Sequence, residues 1–221
     1  MGPISSREEI VSWIDSCVLG DLRTLRLGID GYYARADHRA PDGRALGGGN
    51  FLLVAGCCLA LDYFGYIYHG GGSDEANALA YIEKFLVAVN PRYSEAGLLM
   101  WRCFRQGTVH RSWPKRIYVE NDPKSQLILG ADSAAGGLHL NPDPSLEGES
   151  FIVNGRQLLA DIEVSFNFDR GFRRWILDES PDQAIERANP QALVLRPGDR
   201  RAMAQLANVR SWYQAIERKP G

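Results

Sequence analysis

Apolar residues recur every three to four positions through the first half of the chain, the interval at which a helix buries one face. Ser5 or Ser6 is placed to cap a first helix, with Glu8 and Glu9 in its first turn and Ile10, Trp13, Ile14 and Cys17 along one side. A second helix is expected from about Asp21 to Arg35, carrying Leu22, Leu25, Ile29, Tyr32 and Tyr33. Arg39 to Asn50 contains Pro41, Asp42-Gly43 and Gly47-Gly48-Gly49 and reads as a loop. From Phe51 to Tyr68 the pattern changes: apolar side chains lie all round the helix, interrupted by Asp62, with Asn50 as the expected cap and Gly70-Gly71-Gly72 as the stop. Two amphipathic helices follow. One starts near Ser73 and stops at Asn90-Pro91, and the other runs from Tyr93 or Ser94 to about Ser112, ahead of Pro114.

Beyond Pro114 the period shortens. Arg116–Glu120, Gln126–Leu129, Gly137–Leu140 and Ser150–Val153 have strand character and are separated by turn residues, which predicts a small antiparallel meander. Asn154 then caps a long helix expected to run through Leu158, Leu159, Ile162, Phe166 and Phe172 to Trp175-Ile176. After Pro181 come a short helical segment, the apolar Ala192–Leu195 and a last helix from about Asp199 to Arg218. The expected fold is therefore mainly α (α+β), a bundle of about five to seven helices with an antiparallel β-meander inserted near residues 116–153. Residues 1–178 are expected to form this domain, and residues 179–221 a C-terminal helical extension packed on it.

The apolar run 51–68 approaches the length of a membrane span. Asp62 lies well inside it, where insertion costs about 3 kcal/mol, and no basic cluster flanks either end. A central bundle helix is the reading, with no membrane partner. The N-terminus lacks a basic stretch followed by an apolar one, so a cytoplasmic protein is expected. Cys17, Cys57, Cys58 and Cys103 show no C-x-x-C spacing and fit core packing in a reducing compartment.

Charge narrows the partners. Twenty-five basic residues face 27 acidic ones for a formal net charge of -2, so no global field draws in nucleic acid, and a polyanion would need a local patch. Lysine occurs at 84, 115, 124 and 219 alone, and arginine supplies the rest. Local patches exist. Arg102, Arg105, Arg111, Lys115 and Arg116, with Trp101 and Trp113 interleaved, read first as a solvated helix end over buried aromatics, and alternatively as a surface for phosphate contact and base stacking. Arg170, Arg173 and Arg174 beside Trp175 form a second such group. His38, His69 and His139 stand at no metal-ligand spacing, so no metal or other cofactor is expected. Gly47-Gly48-Gly49-Asn50 lacks the lysine and the preceding strand of a phosphate loop.

Within the first patch, Arg105-Gln106-Gly107-Thr108-Val109-His110 near a helix end resembles the R-x(4-6)-H motif of the HEPN superfamily, helical bundles of prokaryotic defence and toxin systems. The looser order of elements over residues 20–178 is similar to that of uncharacterised bacterial proteins of this type. Gln106 departs from the Asn, Asp or His often found there. The resemblance implies metal-independent RNA cleavage in which His110 moves a proton at a ribose hydroxyl and Arg105 stabilises phosphate charge, while Arg102, Gln106, Arg111 and Lys115 contact RNA. Five residues along one helix separate two side chains by about 140° and about 7.5 Å. Such a pair works better across a two-fold axis, which implies a homodimer.

The same residues also have structural employment. Asp62, once buried, needs a cation, and Arg105 is the candidate. His110 suits the end of a helix, bonding its last carbonyls. Two function classes follow: a binding or assembly module of a bacterial stress or defence system, with an RNA or protein partner, and an endoribonuclease using Arg105 and His110 across a dimer.

Overall fold

The computed structural model describes residues 3–34, 49–111, 117–119, 122–132, 137–142 and 149–189, together with 204, 205 and 207; for 33, 106–111, 117–119, 122–129, 132, 142, 149 and 150 it describes the backbone alone. The protein is mainly helical, with a small sheet. Helix α1 covers residues 7–33 and α2 is Asn50–His69. Next come α3, residues 74–89, and α4, Tyr93–Arg111. Strands β1 (Ile117–Val119), β2 (Asp122–Asp132), β3 (Asn141–Pro142) and β4 (Glu149–Asn154) come before α5 (Gly155–Asn167), α6 (Phe172–Asp178) and α7 (Gln183–Ala188).

The first two expected helices are one. Ser6 accepts a hydrogen bond from the Glu9 backbone N–H as the cap, and the helix then runs on through a π-turn at Ile14–Val18. Its buried positions are Ile10, Val11, Ile14, Leu19, Leu22 and Ile29. The step from Ile14 to Leu19 is five residues where a regular helix would take three or four, and the π-turn absorbs the extra one, keeping the stripe on the core. That slip in phase is what makes the sequence look like two helices. At α2 the cap is Gly49, at φ 71°, and Asn50 is already helical.

Helix α2 is the hub, packed by α1, α3, α4, α5 and α7. It is long and apolar enough to cross a membrane, and 56% of that stretch is buried inside the bundle, as a core helix requires. Leu53, Val54, Cys57, Cys58, Leu61, Phe64 and Ile67 are fully buried. Around Phe64 gather Tyr81 (ring centroids 5.4 Å), Phe166 (6.5 Å) and Phe172 (5.6 Å), an aromatic centre drawn from four helices. Gly65 lets α3 come close: a Cβ there would lie 1.9 Å from the Asn77 carbonyl oxygen.

The sheet corrects the expected meander. Its order is β1-β2-β4-β3, with β1/β2 and β3/β4 antiparallel but β2/β4 parallel. The continuous apolar run Phe151-Ile152-Val153 suits a central strand, and β4 takes that place. The expected strand at 137–140 is displaced to Asn141–Pro142, an edge position that tolerates a proline. The expected long helix after Asn154 is also broken. Asn154 caps α5 through its side chain, but the chain turns at 168–171, where a Cβ on Gly171 would meet the carbonyl oxygens of Ser165 at 2.6 Å and Phe166 at 2.9 Å.

Two compact units divide the chain, Met1–Asn189 and Pro190–Gly221. The boundary thus falls later than residue 178, because Ser180, Ala184 and Ala188 are buried in the first unit. The expected loop at 39–48 and the apolar stretch 192–195 lie outside the described residues, as does the last helix save for 204, 205 and 207, which are helical.

Gly65→Ala is expected to destabilise the protein by about 2–3 kcal/mol in urea denaturation, since backbone must move to admit one methyl. Gly28→Ala, at an exposed point of α1 with nothing within 4 Å of its Cβ, should instead gain about 0.5–1 kcal/mol. A tolerated Gly65→Ala would contradict the close α2–α3 packing.

Candidate functional site

Helix α4 begins and ends its described stretch at two polar clusters. The first to be legible in sequence is the arginine end. Asp62 leaves α2 toward α4, where Arg105 Nε donates to Asp62 Oδ2 at 2.8 Å and Trp101 Nε1 donates to Asp62 Oδ1. The other arm of Arg105, Nη2, lies 2.6 Å from Asp74 Oδ2 in the first turn of α3. Its guanidinium also stands 5.8 Å from the Trp101 ring centroid. Arg102, the next turn out, holds Glu75 with both Nε (2.9 Å) and Nη2 (2.7 Å).

These arginines join α2, α3 and α4. Arg105 and Asp62 have side chains only 21% and 14% exposed, so little of either charge reaches solvent. Burial pushes the Asp62 carboxyl above its ordinary value, more than the hydrogen bonds from Arg105 and Trp101 pull it back. The pair is therefore a repair of a buried charge and adds little stability of its own. Trp101, a candidate stacking platform, is buried at 2% exposure. The expected ion pair is present. His110 and Gln106 lie on the α4 backbone, with side chains outside the described ones, as is that of Arg111; Lys115, Trp113 and Arg116 lie outside the described residues altogether.

The second cluster, missed in the sequence, sits at the start of α4. Tyr93, His139 and Asp161 are 1%, 8% and 5% exposed. Tyr93 Oη donates to Asp161 Oδ2 at 2.8 Å and lies 2.9 Å from His139 Nε2. Gln157 Nε2 donates to Asp161 Oδ1 at 2.7 Å, and the Asn154 backbone N–H donates to His139 Nδ1 at 3.1 Å. Burial and the neighbouring Asp161 charge push the Tyr93 phenol well up, so it stays a donor. At Asp161 burial is the largest influence and pushes upward, yet the His139 ring, with Nε2 3.6 Å away, and the hydrogen bonds from Gln157 and Tyr93 together outweigh it and hold the carboxyl below its ordinary value.

A hollow of about 300 Å³ lies beside α6, lined by Asp169, Arg170, Arg174, Trp175 and Glu179. Here the second basic group is partly neutralised, since Arg174 pairs with Asp178, and Trp175 stacks on Phe172 at 5.6 Å. The thiols of Cys57 and Cys58 are pushed up by burial, which removes them as nucleophiles. His69 is exposed at the end of α2, and His38 lies outside the described residues. Comparison with protein families, curated proteins and solved structures gives no match.

Arg105→Ala leaves Asp62 without its cation and is expected to cost about 1–3 kcal/mol in urea denaturation, the lower end reflecting partial exposure. Asp62→Asn, which keeps an oxygen for Trp101, should cost less. Equal losses would argue against the buried-charge account. For Asp161 the sign is opposite: a depressed carboxyl stabilises the fold fully above about pH 4 and loses that contribution as pH falls through the lower folded value. The stability gap between the wild type and Asp161→Asn should accordingly narrow from about pH 4 to pH 2; a gap that widens with acid would refute the assignment.

Proposed function

We infer that this chain is a binding and assembly module of HEPN-like helical type, serving a bacterial stress or defence system, in which Arg105 acts as a structural brace. One observation carries the reading: two of the three guanidinium nitrogens of Arg105 are engaged by carboxylates of the chain, Nε by Asp62 and Nη2 by Asp74. A guanidinium that stabilises a scissile phosphate offers its donors to substrate, and here two nitrogens are already committed. Turning Arg105 toward RNA would strand Asp62 in a mostly apolar helix, a cost that binding would have to overcome. Arg102, held by Glu75 in a two-pronged pair, is likewise committed.

A partner surface is consistent with the exposed leucines. Leu52 and Leu59 of α2 are 62% and 44% exposed and stand seven residues apart, on one stripe of the helix. The reading assigns that stripe to a second copy of the chain, because a homodimer pairs identical patches across a two-fold axis.

Light scattering at micromolar concentration is expected to give a dimer, and Leu52→Glu with Leu59→Glu a folded monomer; a monomeric wild type removes the assembly reading. Labelled RNA incubated with the protein in EDTA should remain intact. Cleavage that disappears in His110→Ala would replace this reading with the endoribonuclease.

A further inference from the structure

The Tyr93–His139–Asp161 network fixes a tautomer. Because the Asn154 N–H points at His139 Nδ1 (3.1 Å), that nitrogen must present its lone pair, and the ring proton sits on Nε2. Nε2–H then donates to Tyr93 Oη at 2.9 Å, whose own proton goes to Asp161. Every donor meets an acceptor as long as the imidazole is neutral. A second proton has one place to bind, Nδ1, where it would face the Asn154 N–H, donor against donor.

What His139 holds is a strained piece of chain. Leu140, its neighbour, has φ 49°, the one non-glycine residue with positive φ among those described, a conformation that a branched side chain adopts at a cost. Leu140 is buried at 2% exposure, while Leu138 on the other side is 41% exposed. Besides His139, the segment is tied down by Arg92, which donates to the Leu140 carbonyl at 3.0 Å and to Asn141 Oδ1, and by the Asn141 side chain, which donates to the His139 carbonyl at 2.9 Å. At the far end of the histidine bond, Asn154 is also the cap of α5.

We propose that His139 is a proton-sensitive latch: a second proton on its imidazole releases residues 137–142 and the capped end of α5, while the aromatic centre of the bundle stays folded. The titratable and charged groups around the ring are Asp161 on α5, Tyr93 on α4, Arg92 in the turn just before it, and the neutral thiols of Cys57 and Cys58 on α2, close enough to bear on Tyr93. Asp161 attracts the cation and opposes release. Its pull is blunted because Nε2 lies 3.6 Å from Oδ2 with the Tyr93 hydroxyl bonded to both, and because Gln157 already occupies Oδ1. Protonation thus gains an attraction at a distance, loses a hydrogen bond, adds a donor clash and frees the strain at Leu140.

Amide exchange followed by NMR, corrected for the intrinsic rate, tests the latch in the full chain. Protection at the Asn154 amide should fall about tenfold as acid protonates the ring, in step with the His139 ring signals, while amides of α2 stay protected. Protection at Asn154 that is flat with pH, or that falls together with α2, overturns the proposal. His139→Asn can offer an oxygen to the Asn154 N–H without titrating, and should abolish the pH response; a response that persists also overturns it. Should that variant not fold, the wild-type ring nitrogens decide: Nδ1 must be the unprotonated nitrogen at pH 8, and the opposite tautomer rules the latch out.

Discussion

A twenty-residue helix with apolar side chains on every side, α2, has to be enclosed, and the rest of the first compact unit is arranged to enclose it. Five other helices and the sheet reach it. The aromatic centre around Phe64 draws Tyr81, Phe166 and Phe172 from α3, α5 and α6, so buried side-chain area, at roughly 25 cal/mol per Å² removed from water, pins the second half of the chain to the first. Backbone polar groups of α2 are satisfied within the helix. At its C-terminal end, Arg187 of α7 donates to the Ile67 carbonyl at 3.3 Å, which brings a positive charge to the negative pole of the helix.

Enclosing α2 also encloses Asp62, and this one charge sets the chemistry of its neighbours. A carboxylate in that position must be paired or neutralised. The pairing occupies Arg105, aligns the Trp101 N–H, and, through Asp74, ties the start of α3 to the same guanidinium. The arginine that looks most chemical in the sequence is thus the one with the heaviest structural duty. A phosphate-binding arginine and a charge-repairing arginine draw on the same donors, and here Nε and Nη2 are engaged by carboxylates of the chain itself.

How much of this could be read from the residues depends on the range of the interaction involved. The Ser6 cap, the stop at Asn90-Pro91 and the Asn154 cap are local, and all are where the sequence places them. The Asp62–Arg105 pair was legible although its members are 43 residues apart, because a lone charge in an apolar helix demands a partner. Joining α1 into one helix was not, since the five-residue step from Ile14 to Leu19 reads as a break unless a π-turn is assumed. Strand order was equally hidden: a meander is the default for four short strands, and nothing local says that β4 inserts between β2 and β3. Tyr93, His139 and Asp161 carry no spacing signal at all, being brought together only once the segment before β3 sets His139 against Tyr93 of α4 and Asp161 of α5. The nearest hint was Asp161, a charge between the core residues Leu158 and Ile162 on α5.

The two polar clusters on α4 solve the same problem by different means, and the contrast decides where function can reside. At Arg105 a full positive charge offsets a full negative one, and the arrangement withstands any pH at which the carboxylate remains ionised, since arginine does not lose its proton. At His139 the network is held by the placement of single protons among a phenol, an imidazole and a carboxylate, so its integrity depends on protonation state. The first is suited to holding helices in place. The second joins the mobile-charge residue of the set to a strained segment and to the cap of α5, which makes it the part of the fold whose geometry a change in solution conditions can alter without dismantling the core.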